Sequence, residues 1–400
     1  MLIRPQPPLH LTYCLNVHPG ERWSENLAAI ETHARAVRDR VAPTQPFGLG
    51  LRLSRQAADE LAGGPNLAAF RRMLADNLLY AFTVNGFPYG SFHGAPVKTQ
   101  VYRPDWSLAE RRDYTIRLAE ILAALLPDGV DGSISTVPLS YKPWGSSDGQ
   151  LRTMIDNLVA VVARLAALRR ETGREIHIGL EPEPDCLLET TDEVVRFFEG
   201  PLASHGVPML ASLLACSRPE AETLLRRHLG VCVDTCHLAV QFESPTASLA
   251  RLRRHGIRVS KIQLSAALEV DAAPTPPARL REFCDPVYLH QVRRRSANVI
   301  TGYADLPEAL AAPESGAPSV WRIHFHVPLY FTGDADLRST APALDDAFWA
   351  EIARGDISHL EIETYTFHVL PPSLRTGTVA ESIAREFAWV LPRCKAALGS

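Results

Sequence analysis

Acidic and imidazole side chains occur in closely spaced pairs at widely separated points of this 400-residue sequence. The pairs Glu181–Glu183, Glu361–Glu363 and His324–His326 each have a two-residue spacing, and Asp234 precedes His237 by three residues. Carboxylate oxygens and imidazole nitrogens can together replace the water shell of a divalent ion. The same groups also serve as general acids and bases. The spacing therefore indicates metal-assisted chemistry, with Mn, Zn, Fe, Co or Mg as the candidate ion.

Short apolar runs rich in β-forming residues alternate with longer stretches of helical periodicity along the chain. Eight runs are predicted as strands, at residues 9–17, 47–53, 81–87, 132–137, 175–180, 230–234, 259–264 and 359–364. Eight strands that alternate with helices predict an α/β fold of the (β/α)8 TIM-barrel type, usually about 250 residues and longer with insertions. An open doubly wound sheet is the alternative, but no predicted strand is followed by a GxGxxG or Walker-type loop.

The chain shows no linker that would divide it, so we expect a single barrel domain over residues 1–400. Residues 265–358 are predicted to be an elaborated insertion between the seventh and eighth strands. This insertion contains a ninth β-like run at 319–327 and a helical piece at 278–295. Residues 86–106, after the third strand, are rich in Gly, Pro and aromatic residues. Long loops on a barrel usually shape the active-site mouth, so we expect both regions to form walls of the site.

The residues able to do chemistry fall where predicted strands end. Glu181 follows the fifth strand, Asp234 ends the sixth and Glu363 lies at the end of the eighth. TIM-barrel active sites are built at the carboxyl ends of the strands. Because side chains alternate along a strand, both members of each two-residue pair face the same side. Each pair can then supply one metal ligand and one acid or base.

Each of these residues also has a simpler structural interpretation. Asp234 can serve as a helix N-cap, with His237 in the first turn. His18 and His93 can be hydrogen-bonded loop histidines. The histidine pair at 324–326 can line the barrel, although buried imidazoles are costly to leave without partners. Their joint occurrence on successive strand ends favours a functional site.

The overall composition excludes several classes of protein. Hydrophobic residues make up 46% and charged residues 22% of the chain, as in soluble globular proteins. The net charge of −4 gives no electrostatic reason to bind nucleic acid or anionic lipid. We find no apolar run long enough to span a membrane, no secretory signal and no CxxC pair among seven cysteines. A cytoplasmic protein acting on a small molecule is expected.

Glu181, the segment Asp234-Thr235-Cys236-His237 and Glu363 resemble the metal-site pattern of the xylose-isomerase-like TIM barrels. That superfamily includes sugar isomerases, ketose 3-epimerases and metallo-phosphodiesterases of the endonuclease IV type. The resemblance implies that Glu181, Asp234 and Glu363 are metal ligands. It also implies that His237 contacts the substrate or a second metal ion.

The seventh strand departs from this pattern. The epimerases have a histidine ligand at its end, whereas this chain has Gln263, whose amide oxygen coordinates only weakly. Endonuclease-type relatives draw ligands from the connection after this strand. His326 is therefore the candidate fourth metal ligand, and Gln263 is the alternative. Gln263 and His324 are also candidate substrate contacts.

Four further segments resemble the EboE group, which is named for metabolite traffic. They are residues 11–21, 85–90, 287–291 and 324–328. Genes of that group accompany those of a prenyltransferase-like protein. The resemblance implies products of a prenyltransferase-containing gene cluster as possible ligands.

Three functions remain open from the sequence. The first is isomerisation or epimerisation of a sugar-like or carbonyl metabolite, with Lewis-acid activation by the metal and proton transfer by Glu183, His237 or Glu361. The predicted substrate-binding residues are His18, Phe87, Tyr89, His93, Gln263 and His324, and the predicted aromatic lid is Phe87, Tyr89, Phe92, Tyr102 and Trp106. The second function is metal-dependent phosphoester hydrolysis. The third is non-catalytic metabolite binding or traffic.

Overall fold

The computed structural model describes residues 1–94, 96–272, 275–313 and 317–399. Eight parallel strands in these residues form a barrel. They are β1 (Pro8–Tyr13), β2 (Phe47–Arg52), β3 (Leu79–Asn85), β4 (Gly132–Thr136), β5 (Ile176–Leu180), β6 (Leu229–Asp234), β7 (Val259–Leu264) and β8 (His359–Ile362). Hydrogen bonds join β2 through β8 in sequence order and then β8 to β1. The predicted TIM barrel is confirmed, with strand boundaries close to those expected.

The barrel closes where β1 approaches β2. A parallel bridge joins Cys14 to Gly50, and the Thr12 hydroxyl donates a hydrogen bond to the Gly48 carbonyl at 2.6 Å. A Cβ atom at Gly50 would lie 1.9 Å from a carboxylate oxygen of Glu361. Glycine is therefore required for the close approach at this seam.

Helices surround the barrel and contribute to its buried core. The α-helices of the described chain are Trp23–Ala29, Arg35–Val41, Arg55–Ala62, Asn66–Asp76, Ala109–Leu125, Asp148–Thr172, Thr191–Phe197, Val207–Leu214, Arg218–His228, Thr235–Val240, Pro245–Arg254, Leu306–Ala311, Asp346–Ala353 and Val379–Leu398. The longest, Asp148–Thr172, begins at a capping box between Ser147 and Gln150 and ends at the left-handed Gly173. Within the described residues, no helix is both long and apolar enough to cross a membrane.

Between β7 and β8 the described chain forms a second, five-stranded antiparallel sheet, which we call the insertion sheet. Its strands are Ala266–Ala272, Val292–Ser296, Val299–Tyr303, Ser319–Val327 and Arg338–Ser339. The strand predicted at 319–327 is confirmed. Positions 95, 273–274 and 314–316, which fall within the two predicted wall regions, lie outside the described residues.

The helix predicted at 278–295 is wrong. Only a 3-10 turn, Ala278–Phe283, forms there, and the three consecutive arginines 293–295 lie on the strand Val292–Ser296. Pro286 has no backbone N–H to continue a helix. The Arg293 guanidinium then pairs with the Asp185 carboxylate at 2.6 Å, a tertiary contact that overrides local helical periodicity.

Candidate metal centre

Three carboxylates meet at the carboxyl end of the barrel. Oxygen atoms of Glu181, Asp234 and Glu363 all lie within 4.8 Å of one another, and all three side chains are buried. Burial, reinforced by the neighbouring carboxylates, raises the pKa values of Glu181 and Glu363. Like charges this close are stable only when protons or a cation offset them.

Asp234 serves local structure with one oxygen and the cluster with the other. Its Oδ1 accepts hydrogen bonds from the Cys236 and His237 amides at 2.8 and 3.0 Å, which caps the helix Thr235–Val240. The Ser265 hydroxyl donates to the same oxygen at 2.7 Å. Asp234 Oδ2 is buried and receives no hydrogen bond from an amide, hydroxyl or imidazole of the described chain, although a protonated Glu363 carboxyl would share a hydrogen bond with Asp234. The capping and the site interpretations of Asp234 therefore apply to different oxygens.

Two asparagines hold Glu363. Asn16 and Asn85 donate hydrogen bonds from Nδ2 to Glu363 Oε1, at 2.7 and 3.1 Å. Neither asparagine is among the site residues predicted from the sequence. The signal was present, because they lie in the segments 11–21 and 85–90 that carry the EboE resemblance.

Three histidines face the carboxylates. Ligand atoms of Asp234, His237 and His326 lie within 4.8 Å of one another, as do those of Cys236, His324 and His326. The rings of His324 and His326 are 5.4 Å apart, as expected for residues on one side of a strand. The insertion sheet therefore contributes imidazoles to a cluster whose carboxylates come from the barrel.

Backbone carbonyls fix the tautomers of two of these histidines. His237 Nδ1 lies 2.9 Å from the Pro182 carbonyl oxygen, and His326 Nδ1 lies 2.8 Å from the Glu363 carbonyl oxygen. A carbonyl oxygen only accepts hydrogen bonds, so both Nδ1 atoms donate. In the neutral rings, Nε2 therefore carries a lone pair. His326 Nε2 is buried without a hydrogen-bond partner in the described chain.

Gln291 fixes His324 in the same way. The Gln291 amide nitrogen donates a hydrogen bond to the Pro184 carbonyl at 3.0 Å, which turns Gln291 Oε1 toward His324. Gln291 Oε1 accepts a hydrogen bond from His324 Nδ1 at 2.7 Å. His324 Nε2 then lies 3.0 Å from His237 Nε2. Two lone pairs cannot bond to each other, so this contact requires a shared proton or a cation. Metal-binding histidines are commonly oriented by such hydrogen bonds at the other ring nitrogen.

A proton on His237 can satisfy the contact when no cation is present. Although burial opposes the charged ring, the carboxylates of Asp234 and Glu183 raise the pKa of His237. Burial and the charge on His237 hold the pKa of His324 well below its ordinary value. The pair can therefore share one proton, with His324 as the acceptor.

Glu183 lies beside the histidines and lines the same cavity. Its Oε1 accepts a hydrogen bond from the Tyr102 hydroxyl at 2.7 Å, and that hydroxyl accepts one from Gln291 Nε2 at 2.8 Å. Burial raises the pKa of Glu183 to about 7. A carboxyl group with this pKa can take up and release a proton near neutral pH.

Glu361 and Gln263 lie in the barrel interior and are not among the cavity-lining residues. The Glu361 carboxylate pairs with the Lys261 ammonium at 2.5 Å, and both side chains are 0% exposed. Gln263 Oε1 accepts a hydrogen bond from the Cys232 thiol at 2.8 Å. The sequence predicted proton transfer by Glu361 and a substrate contact by Gln263. This geometry instead favours a supporting role for both residues.

A cavity of about 520 Å³, a volume that includes open solvent at its mouth, leads from the surface to the cluster. Carboxylates and imidazoles form its floor. Its walls include Phe87, Phe92, Val97, Val101, Tyr288 and Tyr365. The loop after β3 and the insertion thus both form walls, as expected.

Two predicted substrate contacts, Phe87 and His324, line this cavity, and two others lie away from it. Tyr89 packs against the Tyr114 ring at 5.1 Å and is not among the lining residues. His18 stacks on His33 at 4.5 Å and is also outside the lining. The alternation of side chains along a strand, which supported the other predictions, does not apply in these irregular loops.

His93 supports the cavity from behind. Its Nε2 donates to the Asn16 carbonyl at 2.7 Å, and its Nδ1 accepts a hydrogen bond from the Tyr288 hydroxyl at 2.8 Å. Trp106 is fully buried and donates from Nε1 to the Val137 carbonyl. Neither residue lines the cavity. The structure therefore places His93 away from a substrate in the cavity, and it places Trp106 in the core instead of in the predicted lid.

No protein-family model matches the sequence, and no curated protein matches it. Solved structures are similar in fold. A structure of L-ribulose 3-epimerase aligns with a TM-score of 0.50 and 11% identity, covering 97% of this chain and 95% of that chain. The IolI protein with a bound zinc atom aligns at 0.48 and 11% identity, covering 98% and 100%. A xylose isomerase domain protein from Alicyclobacillus acidocaldarius subsp. acidocaldarius aligns at 0.45 and 13% identity, covering 97% and 98%.

At these identities the similarity concerns the fold alone. The chain shares the TIM-barrel fold of the L-ribulose 3-epimerase structure. The EboE resemblance rests on the sequence segments only.

Proposed function

We propose that the protein is a divalent-metal-dependent isomerase or epimerase acting on a small sugar-like or carbonyl metabolite. The convergence of carboxylate oxygens and histidine Nε2 atoms at the cavity floor carries this proposal. Glu181 Oε2 and His326 Nε2 are buried without hydrogen-bond partners in the described residues, and Asp234 shares a hydrogen bond with Glu363 only when one of the two carboxyls is protonated. Each unpartnered atom costs about 1–3 kcal/mol unless something binds it. Asp234 belongs to two groups of potential ligands, one with Glu181 and Glu363 and one with His237 and His326. Together they offer the oxygen and nitrogen donors that suit Mn, Zn, Fe or Co.

The bound ion would supply Lewis-acid polarisation of a carbonyl and an adjacent hydroxyl. Glu183 would take the proton from the carbon beside the carbonyl. In isomerisation Glu183 would return it to the neighbouring carbon while the hydroxyl proton passes to the former carbonyl oxygen. Epimerisation would need a second acid on the opposite face, for which a protonated His237 is the candidate. The Tyr102 hydroxyl positions Glu183 by its hydrogen bond to Oε1. Because His237 Nδ1 donates to the Pro182 carbonyl, a cationic His237 would carry its second proton at Nε2, close to the same floor.

Metal analysis of two matched variants tests the site. Asp234→Asn removes one carboxylate but keeps an oxygen that can cap its helix. Asp345→Asn is the control, because Asp345 caps the helix Asp346–Ala353 outside the site. Both variants and the wild type are reconstituted with Mn, Zn or Co and analysed by mass spectrometry. About one equivalent in the wild type and the control, with loss in Asp234→Asn, is the expected result.

Catalysis is tested by proton exchange. Hydroxyketones and ketoses are incubated with the metal-loaded protein in D2O, and deuterium incorporation beside the carbonyl is followed by NMR. Glu183→Gln should abolish exchange while leaving the metal content unchanged. Exchange at the wild-type rate in this variant would contradict the role of Glu183, and no metal in any variant after reconstitution would contradict the proposal itself.

Metal-dependent phosphoester hydrolysis is the second candidate. The close contact of His237 and His324, with Cys236 and His326 nearby, favours it because it provides ligands for a second ion. Two-metal sites clamp the attacking and leaving oxygens of a phosphate ester. Two or more equivalents of metal, together with turnover of a chromogenic phosphodiester, would favour this reaction over isomerisation.

A non-catalytic traffic role of the EboE type is the remaining alternative. Its support is the sequence resemblance, and it requires ligand binding without turnover. A protein that binds a hydrophobic metabolite but shows neither exchange nor hydrolysis when metal-loaded would favour this role.

A further inference from the structure

We infer that the cavity selects a substrate in which a chelating hydroxy-carbonyl head is joined to an apolar body. A fully hydroxylated sugar and a phosphorylated metabolite both fit it less well. This inference rests on the proposed function and names the substrate class of the same site.

The polarity of the cavity changes sharply between floor and walls. The floor presents buried carboxylates and imidazoles, whereas Phe87, Phe92 and Val97 are apolar wall residues. A sugar carries hydroxyls on nearly every carbon. Hydroxyls pressed against these walls would lose hydrogen bonds to water and gain none. An apolar group at the same place would gain from burial.

Of the three wall tyrosines, Tyr102 and Tyr288 do not restore this lost polarity, whereas the hydroxyl of Tyr365 has no hydrogen-bond partner in the described chain and is the one left for a polar ligand atom. The Tyr102 hydroxyl donates to Glu183 and accepts from Gln291, and the Tyr288 hydroxyl bonds to His93. These hydroxyls are already occupied within the protein. The Phe92 ring lies 5.2 Å from the Tyr288 ring, which extends an aromatic surface over the floor. The wall therefore offers rings to a ligand more readily than hydroxyls.

Lys98 is the single lysine or arginine among the described lining residues, and its donors are taken. Its ammonium group donates to the Asp305 carboxylate at 2.7 Å and to the Tyr288 and Asp285 carbonyls at 2.7 and 3.2 Å. An ammonium group has three donors, and all three have acceptors. A phosphate attached to the end of the substrate that meets the walls would therefore find no free lysine or arginine there. The positive charges of the site, the bound ion and a protonated His237, lie at the floor, where the hydroxy-carbonyl head binds.

Three probes with one shared head test the inference. They are 2-hydroxyacetophenone, dihydroxyacetone and dihydroxyacetone phosphate, which differ only in the group attached to the hydroxyketone. Their affinities for the protein loaded with one equivalent of Mn are measured by titration calorimetry. We expect 2-hydroxyacetophenone to bind at least tenfold more tightly than dihydroxyacetone, and the phosphate to bind most weakly. Equal affinities, or tightest binding of the phosphate, would overturn the inference.

Near-isosteric wall variants connect the preference to the cavity. The double variant Val97→Thr/Val101→Thr adds hydroxyls to the wall with little change in shape. It should reduce the affinity ratio of the first two probes at least threefold while leaving the metal content unchanged. Val299→Thr, on the exposed hairpin of the insertion sheet, is the matched control and should keep the wild-type ratio. An unchanged ratio in a folded double variant would contradict the assignment to these walls.

Failure of the metal site is distinguishable from failure of this inference. A protein that takes up no metal refutes the proposed function. The same titrations are then read on the metal-free protein. A preference for the phenyl probe there supports the apolar cavity by itself, and equal binding of the two uncharged probes overturns it.

Discussion

Replacing Glu386 by glutamine should change how the stability of the fold depends on pH. Glu386, on the last helix Val379–Leu398, is 1% exposed. Its Oε1 accepts hydrogen bonds from the Thr364 hydroxyl at 2.7 Å and the Leu329 amide at 3.1 Å, which joins the loop after β8 to the chain beyond the insertion strand. Burial raises the pKa of Glu386 from 4.5 to about 7.

The sign of the effect follows from this shift. The folded state holds the proton more tightly than the unfolded chain, so this carboxyl destabilises the fold as the pH rises from about 4.5 through 7. At 1.36 kcal/mol per pKa unit the full loss is about 3.4 kcal/mol, of which about 2.5 kcal/mol falls between pH 5 and pH 8. Glutamine keeps an oxygen that can accept both hydrogen bonds and does not titrate.

Urea unfolding at pH 5, 6, 7 and 8 measures this difference. The free energy of unfolding of Glu386→Gln, relative to the wild type, should increase by about 2.5 kcal/mol from pH 5 to pH 8. Glu381→Gln, on the exposed first turn of the same helix, is the control. Hydrogen bonds from Thr378 lower the pKa of Glu381, so any trend in this control has the opposite sign. A difference for Glu386→Gln that does not vary with pH would refute the reasoning.

Three further predictions test the barrel interior and the ligand set. Lys261→Met leaves the Glu361 carboxylate unpaired and should lower the free energy of unfolding by about 3–5 kcal/mol. Adding Glu361→Gln should recover part of this loss in urea unfolding, and no recovery would contradict the pairing. Gly50→Ala forces a Cβ against Glu361 and should cost about 1–3 kcal/mol, seen as a lower thermal midpoint; an unchanged midpoint counts against a tight seam. His326→Gln should weaken metal binding at least tenfold in chelator competition, whereas Gln263→Leu should change it less than threefold, and equal losses would return Gln263 to the ligand set.

The carboxylate floor could be predicted because it depends on local pattern and one topological rule. Glu181, Asp234 and Glu363 follow or end recognisable parallel strands, and parallel strands of a barrel deliver their ends to one rim. No contact between distant segments had to be known. The same rule predicts that Glu361 faces the inside of the barrel. It does not predict how deeply Glu361 is buried or that it forms an ion pair with Lys261.

The imidazole part of the site could be predicted only in part. His237 and His324 are 87 residues apart, and their contact depends on how the insertion sheet docks on the barrel. That docking is a tertiary property with no local periodicity to reveal it. Gln291, which orients His324, stood in a segment predicted as helix, so its side chain could not be placed. In the loop after β3, irregular backbone turns Phe87 into the cavity and Tyr89 away from it.

The insertion strand Ser319–Val327 hydrogen-bonds to Ala266–Ala272 and Val292–Ser296, and not to any barrel strand of the described chain. His326 therefore belongs to one sheet and Glu181 to the other. An ion bound by both residues would join the two sheets. Its binding and the docking of the two sheets would then be thermodynamically coupled. The free energy by which the ion would stabilise the docking of the insertion sheet equals the free energy by which docking would strengthen binding of the ion. The ligands from the barrel would thus be fixed in position, whereas those from the insertion sheet would depend on its docking. The affinity for the ion could then be changed by contacts of the insertion that lie outside the barrel.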